Sequence, residues 1–144
     1  MKKHGILNAQ LMFELTKLRH YDKMVICDAG LPIPCGTTVV DISLVPGIPT
    51  MLQTLDAVLN EVIFQAYTIF DSIKQFNPDY YSHISTILDK LQSSEISMPE
   101  FLVQAQSAKF FIRTGDMTPC ANILLVSASG LPHRCAPLDI TRVL

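Results

Sequence analysis

Residues 20–34 read HYDKMVICDAGLPIP, and this stretch decides the fold. The apolar run from Met24 to Cys27 predicts a short buried strand, and the carboxylate of Asp28 follows it immediately. A glycine and two prolines then turn the chain away before a helix can begin. In an open α/β sheet, ligands bind in the crevice outside the carboxyl ends of the strands. Asp28 is therefore either a ligand-binding carboxylate or a cap of a tight turn, with His20 upstream as a candidate proton carrier.

Helical and strand patterns alternate through the first half of the chain. Asn8 caps a predicted first helix, in which leucines recur at helical spacing, and residues 39–45 (VVDISLV) predict a second strand. Thr50 and Gln53 form a capping box that predicts a long helix to about residue 76. Because β-branched and aromatic residues cluster at 62–70, a short strand within that segment is the alternative.

The second half continues the same alternation. Asn77 begins a helix predicted to run from Tyr80 to about Gln92, and Ser97 begins a short helix over residues 98–106. Residues 110–112 and 123–126 predict two further strands. Strands that alternate with helices are typical of a three-layer α/β/α domain with a mostly parallel sheet.

Composition narrows the class of protein. The 144 residues suffice for one domain with a substantial core. With 49% hydrophobic and 17% charged residues and a mean hydropathy of +0.30, some surface is expected to be buried against copies of the chain. The net charge of −2 with no basic block does not favour nucleic-acid binding. We expect no membrane span and no export signal, and therefore a cytoplasmic protein.

The cysteines and histidines form no recognisable metal-binding motif. The four cysteines, at positions 27, 35, 120 and 135, include no C-x-x-C pair, and the four histidines are scattered. We therefore expect free buried thiols, with no metal and no other cofactor.

A second polar turn follows the strand at 110–112. It carries Arg113, Thr114, Asp116 and Thr118, with Asn122 shortly after. Carboxylate, guanidinium, hydroxyl and amide groups together suit a neutral polyhydroxyl ligand, because each sugar hydroxyl both donates and accepts a hydrogen bond. We therefore count Arg113 among the candidate substrate-binding residues; the alternative is that Arg113 and Asp116 form only a salt bridge within the turn. A phosphate ligand is disfavoured, since no glycine-rich phosphate-binding pattern is present.

Five segments resemble the D-ribose pyranase family, whose sister activity is L-fucose mutarotase. The segments read MKKHGILN (1–8), LRHYD (18–22), DAGLPIP (28–34), PGIP (46–49) and IRTGDMTPCAN (112–122), and the resemblance as a whole covers about residues 1–127. The resemblance implies a three-layer α/β/α fold, pentameric rings often stacked as decamers, and interconversion of ribose ring forms before phosphorylation in ribose catabolism. It gives residues 1–128 as the pyranase-like domain and 129–144 as an extension without a family counterpart.

The resemblance also assigns roles to individual residues. His20 matches the catalytic acid, Asp28 a substrate-binding carboxylate, and the segment Cys120, Ala121 and Asn122 a second sugar-binding region. Met98 stands where the family carries a sugar-binding histidine, so that position is a candidate substrate contact as well.

Three positions depart from the family pattern. Arg19 replaces a small glycine before the catalytic histidine, Cys120 replaces a tyrosine, and Met98 replaces a histidine that can hydrogen-bond. Losing one hydrogen bond to a bound sugar costs about 0.5–1.5 kcal/mol, so two losses weaken binding about tenfold or more. His133 in the tail is a less favoured source of the missing imidazole.

Three hypotheses follow from the pattern and its departures. The first is a ribose pyranase with an altered pocket, and the second is a mutarotase for a sugar with a less polar substituent, such as a methyl group. The third is a non-catalytic relative that binds sugar or only assembles. Retention of His20, Asp28 and Asn122 favours the two enzymes, whereas the loss of two polar pocket positions favours the third hypothesis. We prefer the first.

Overall fold

The centre of the molecule is a six-stranded sheet. The structure is a computed structural model, and it describes residues 1–130. The strands are β1 (Lys23–Cys27), β2 (Thr38–Asp41), β3 (Phe64–Phe70), β4 (Gln92–Ile96), β5 (Phe110–Arg113) and β6 (Ile123–Ser127). Their order across the sheet is β2-β5-β1-β6-β3-β4. Only β6 is antiparallel to its neighbours, so the predicted mostly parallel sheet is confirmed. The carboxyl ends of the five parallel strands therefore share one edge with the beginning of β6.

Helices cover both faces of this sheet. They are α1 (Ala9–Lys17), α2 (Met51–Leu59), α3 (Ile73–Phe76), α4 (Pro78–Ile87) and α5 (Met98–Ala105). Met24 and Ile26 of β1 share one core with the buried faces of α1, α2 and α4. Val25 and Cys27 point the other way, into a core with Phe101 and Ala105 of α5. This alternation produces the predicted three layers. Within residues 1–130, no helix has the length and apolarity needed to cross a membrane.

Local capping signals located three helix beginnings correctly. The side chain of Asn8 accepts a hydrogen bond from the backbone of Leu11, and capping boxes are present at Thr50 and Ser97. Each cap satisfies backbone N–H groups that have no partner within the helix, which is why these short polar patterns are informative.

The predicted long helix to residue 76 is wrong, and the alternative strand is confirmed. Helix α2 ends at Leu59, and the β-branched and aromatic cluster forms β3, most of which is buried. Buried aromatic and β-branched side chains fit a pleated surface, and here that preference outweighed the helical spacing.

Two further boundaries also differ from the prediction. Strand β2 stops at Asp41, whose carboxylate accepts hydrogen bonds from the backbone and hydroxyl of Ser43, so the apolar residues beyond it lie in a loop. Helix α4 ends at Ile87, and residues 92–96 form β4 rather than the end of a helix. Strand β4 is a mostly exposed edge strand whose polar sequence lacks the usual strand signal.

The buried carboxylate of Asp116 joins the second polar turn to two helices. Its Oδ2 accepts hydrogen bonds from the backbone N–H of Met51 (2.7 Å) and from the hydroxyl of Tyr80 (2.6 Å). Its Oδ1 accepts from the backbone and hydroxyl of Thr118. Burial acts to raise the pKa of Asp116, but these hydrogen bonds to the charged form outweigh it and hold the pKa below its ordinary value.

Replacing this carboxylate should destabilise the fold and change its response to acid. We expect Asp116→Asn to lower the free energy of unfolding by about 2–3 kcal/mol at neutral pH, since charged hydrogen bonds are lost. Because the folded pKa is depressed, the Asp116 contribution is present above the unfolded pKa of about 4 and is lost as the pH falls through the folded value. Urea denaturation at several pH values measures both effects.

The exposed Asp89→Asn variant removes the same charge without a buried hydrogen-bond network. It should leave the stability and its acid dependence nearly unchanged. Equal stability of the Asp116→Asn and wild-type proteins at neutral pH would contradict the role given to Asp116.

Candidate functional site

A cleft of about 660 Å³ lies at the sheet edge where the parallel strands end. Its walls come from the turn after β1, the segment between β3 and α3, the beginning of α5 and the loop before β6. Clefts of this size at the carboxyl ends of parallel strands are typical places for small ligands. The residues that line it are Asp28, Ala29, Gly30, Leu31, Pro32, Phe70, Ser72, Phe76, Met98, Asp116, Met117, Thr118, Pro119, Cys120 and Asn122.

Asp28 and Asn122 form a reciprocal pair on the polar wall of the cleft. The amide nitrogen of Asn122 donates to Oδ2 of Asp28 at 2.7 Å, and the backbone N–H of Asp28 donates to the amide oxygen of Asn122 at 3.0 Å. Oδ1 of Asp28 accepts from the backbone of Gly30 at 2.9 Å. A carboxylate has about four acceptor positions, so two remain for hydroxyl donors of a ligand. Asp28 is thus both the turn cap and a carboxylate that lines the cleft.

The position of Asn122 in the fold brings its side chain to the end of β1. Asn122 is buried and immediately precedes β6, which is the antiparallel strand beside β1. Opposite it, the backbone and hydroxyl of Thr114 both donate to the carbonyl oxygen of Cys27. The two polar turns predicted from the sequence therefore meet at the end of β1.

The opposite wall of the cleft is largely apolar. Phe70 is the buried last residue of β3, Phe76 ends α3, and Met98 begins α5 with 45% of its surface exposed. The thiol of Cys120 lies 3.6 Å from the hydroxyl of Ser72. Cys120 has a φ angle of +61°, a left-handed conformation that costs a non-glycine residue about 1–2 kcal/mol. The cleft thus combines one polar wall with one apolar wall.

Two of the residues predicted to contact the substrate, Ala121 and Arg113, do not line the cleft. The side chain of Ala121 is buried in the core on the α1 and α2 face of the sheet and does not line the cleft. Arg113 lies at the end of β5, where its guanidinium is 3.5 Å from the carboxylate of Asp41. The alternative salt bridge between Arg113 and Asp116 is therefore not the one that forms, because Asp116 turns toward α2 and α4.

His20 lies at the opposite end of the sheet from Asp28. It precedes β1 and Asp28 follows β1, and five strand residues extend about 16 Å. The Nε2 atom of His20 is 3.1 Å from the side-chain oxygen of Gln65, in a shallow depression also lined by Arg19, Glu61 and Ile63. Within one chain, the structure therefore does not bring His20 together with Asp28.

Three cleft residues were missed by sequence reasoning. Phe70, Ser72 and Phe76 come from the segment interpreted as the end of a long helix. The aromatic and β-branched cluster at 62–70 was the available signal, because a strand there ends at the same sheet edge as β1.

The described thiols are free but not uniformly buried. Cys27 is buried, and burial raises the pKa of its thiol to about 12, so it remains protonated. Cys35 is exposed, which corrects the expectation that it is buried, and Cys120 is half-buried. Within residues 1–130, no three His, Cys, Asp or Glu side chains are grouped so that they could hold a metal ion. Cys135 and His133 lie outside the described residues.

The family model described as the RbsD / FucU transport protein family matches residues 1–129. The chain belongs to this family. Among family members, it is similar to the D-ribose pyranase of Geobacillus thermodenitrificans, with 42% identity over 127 residues covering 88% of this chain and 96% of the relative. It is also 36% identical over 135 residues to the D-ribose pyranase of Photobacterium profundum, covering 88% and 97%.

A solved structure of the RbsD / FucU family agrees with this assignment. The structure of Bacillus subtilis RbsD complexed with D-ribose has a TM-score of 0.85 and 38% identity, covering 89% of this chain and 98% of the other. The Streptococcus pneumoniae fucose mutarotase in complex with L-fucose has a TM-score of 0.75 and 18% identity, covering 90% and 100%, and supports the fold alone.

The hydrogen bond between Asn122 and Asp28 can be tested by replacing the amide nitrogen of Asn122 with an oxygen. We expect Asn122→Asp to place two carboxylate oxygens where an N–H···O bond of 2.7 Å now lies. Like charges at this distance raise one carboxyl pKa, so stability should fall as the pH rises above the unfolded value of about 4. At neutral pH we expect a loss of about 1–3 kcal/mol in the free energy of unfolding, measured by urea denaturation.

Asn8→Asp provides the matched control, since Asp and Asn cap helices about equally well. That variant should retain wild-type stability across the same pH range. If the Asn122→Asp variant were as stable at neutral pH as in mild acid, the described pairing would be wrong.

Proposed function

We propose that this chain is a D-ribose pyranase, an isomerase that interconverts the pyranose and furanose forms of ribose. The observation that carries the proposal is the 42% identity to a D-ribose pyranase over nearly the whole length of both chains. The polar wall of the cleft supports it, because Asp28 and Asn122 together offer acceptors and a further amide donor to sugar hydroxyls.

The proposed reaction moves only protons. A base removes the proton of the anomeric hydroxyl while an acid protonates the ring oxygen, so the ring C–O bond breaks and an aldehyde forms. A different hydroxyl then adds to the carbonyl carbon and closes the other ring, as its proton passes to a base and the carbonyl oxygen takes a proton from an acid. A histidine with a pKa near 6.5 can donate and accept a proton at neutral pH, which contributes a factor of about 10² to 10⁴. We assign that role to His20 and the role of sugar anchor to Asp28.

This assignment requires a site shared between two chains. His20 and Asp28 lie at opposite ends of β1, so the His20 end of one chain must meet the cleft of another. Both ends expose apolar side chains, Tyr21 and Ile63 beside His20, and Phe76 and Met117 at the cleft. A head-to-tail contact whose rotation closes forms a ring, and pentameric rings stacked as decamers are what the family resemblance implies.

The cellular setting is part of the same proposal. We infer a cytoplasmic protein that serves ribose catabolism, with residues 1–128 as the pyranase-like domain and 129–144 as an extension. Ala121 contributes through its backbone position between Cys120 and Asn122. Arg113 has a less direct role, since its partner is Asp41.

A mutarotase for a 6-deoxy sugar is the second candidate function. Met98, Phe70 and Phe76 give the cleft an apolar wall that would accept a methyl group. Saturation-transfer NMR of ring exchange in ribose, fucose and related sugars separates the candidates. Faster exchange of ribose supports the first, a clear preference for fucose supports the second, and sugar binding without faster exchange supports a non-catalytic relative.

A mixing experiment tests the shared site. We expect His20→Ala and Asp28→Ala each to lose ring-exchange activity, the first by about 10²- to 10⁴-fold. When the two variants are unfolded and refolded together, a site that takes its histidine from one chain and its carboxylate from the next is intact at about one quarter of the interfaces. Activity should return to about that fraction, measured by NMR exchange.

His83→Ala is the matched control, because it removes a half-exposed imidazole on α4, away from both ends. That variant should keep wild-type activity. If mixed oligomers form, as shown by mass spectrometry, but remain inactive, the shared site is refuted.

The apolar substitution at position 98 can be reversed. Met98→His restores a hydrogen-bond donor at the beginning of α5, so we expect ribose to bind about two- to tenfold more tightly. Val103→His is the control, since Val103 is exposed on the same helix and does not line the cleft. Titration of sugar binding by calorimetry decides the point, and weaker binding by the Met98→His variant would show that methionine is the better partner.

A further inference from the structure

Among the strands of residues 1–130, the pairing of β3 with β6 shifts its register at one point, and this point lies beside His20. Phe64 of β3 pairs with Ser127 of β6. Ala66 is two residues further along β3, but it pairs with Val126, which is only one residue away from Ser127. Gln65 is therefore the extra residue of a β-bulge. Bulges occur beside functional sites because they redirect one side chain out of the regular alternation. Here the redirected side chain places its oxygen 3.1 Å from Nε2 of His20.

The backbone around His20 is also fixed in an unusual conformation. Tyr21 has a φ angle of +68°, which is rare for a bulky residue, and its ring stacks on the imidazole with 3.8 Å between centroids. The backbone N–H of Tyr21 donates to the carbonyl oxygen of Ser127, which is the residue paired with Phe64 at the bulge. Two backbone irregularities thus meet at one exposed histidine.

We propose that Gln65 is the positioning residue of His20. This inference rests on the role of His20 given above, and it assigns a function to a residue that does not contact the cleft. The oxygen of an amide can only accept, so Nε2 of His20 carries a proton, and the neutral ring keeps its lone pair on Nδ1. Because the hydrogen bond at one ring nitrogen decides the tautomer, Gln65 selects Nδ1 as the atom that exchanges protons with the sugar. Tyr21 restrains the plane of the ring.

Charged groups near His20 are already engaged elsewhere. The guanidinium of Arg19 donates to the carbonyl oxygens of Thr16 and Leu18, and the carboxylate of Glu61 accepts from the backbone of Ile6. Asp22 accepts from the backbone of Arg19 and faces Lys109 at 3.7 Å. Within residues 1–130, Gln65 is therefore the side chain that forms a hydrogen bond with the His20 ring.

Two substitutions at Gln65 separate positioning from a structural role. Gln65→Leu removes the acceptor, so the ¹⁵N shifts of His20 should move away from the Nε2–H tautomer. The exchange rate at saturating sugar should fall about tenfold, while the sugar concentration for half-saturation changes less than twofold. Gln65→Glu keeps the acceptor and adds a charge, so the titration of His20 and the pH profile of exchange should both move upward by about one unit. Activity should be retained at the higher pH.

Gln104→Glu, on the exposed side of α5, adds the same charge far from His20 and should shift neither titration nor pH profile. The proposal is overturned if the His20 shifts of the folded Gln65→Leu protein match those of the wild type. It is also overturned if Gln65→Glu leaves both the titration and the pH profile unchanged. If the wild-type protein accelerates exchange of no sugar, the proposed function fails, and the His20 shifts still decide whether Gln65 positions the ring.

Discussion

The carboxylate of Asp116 is the interaction on which the cleft depends. It accepts hydrogen bonds from the first residue of α2, from Tyr80 of α4 and from Thr118 of its own loop. Its backbone carbonyl also accepts from Ala29, next to Asp28. The carboxylate and the backbone carbonyl of this one buried residue therefore link two helices to both polar turns. Because a buried charge without partners is costly, the loop that leads to Asn122 has one favourable position rather than several.

Strand β6 connects the two ends of the molecule. Asn122 lies beside Asp28 just before the strand, and Ser127 at its end accepts a hydrogen bond from Tyr21, so β6 runs from the polar wall of the cleft to the His20 end. A sixth parallel strand in this place would begin at the His20 end and could not carry Asn122 into the cleft. The single antiparallel strand in a mostly parallel sheet is thus what allows a residue late in the sequence to complete the turn after β1.

The sequence predicted those features that depend on neighbours along the chain. The caps at Asn8, Thr50 and Ser97, the strand before Asp28 and the meeting of the two polar turns follow from local hydrogen bonding and from the rule that parallel strands end at one edge. The edge strand β4 was missed because its polar residues carry no strand pattern. The partners of Asp116, the bulge at Gln65 and the separation of His20 from Asp28 depend on pairing register and on which helix faces which loop. No local pattern encodes these features.

The two walls of the cleft differ in how closely they are tied to the fold. Asp28 and Asn122 form hydrogen bonds with each other and with the backbone, so a change at either position alters the end of β1 as well as the ligand contacts. Met98 and Cys120 contribute side chains with at most one weak polar contact, that of Cys120 with Ser72. Substitutions on the apolar wall are therefore expected to cost little stability, whereas substitutions on the polar wall also change the end of β1. The fold thus constrains the Asp28–Asn122 pair more strongly than it constrains Met98 and Cys120 on the opposite wall.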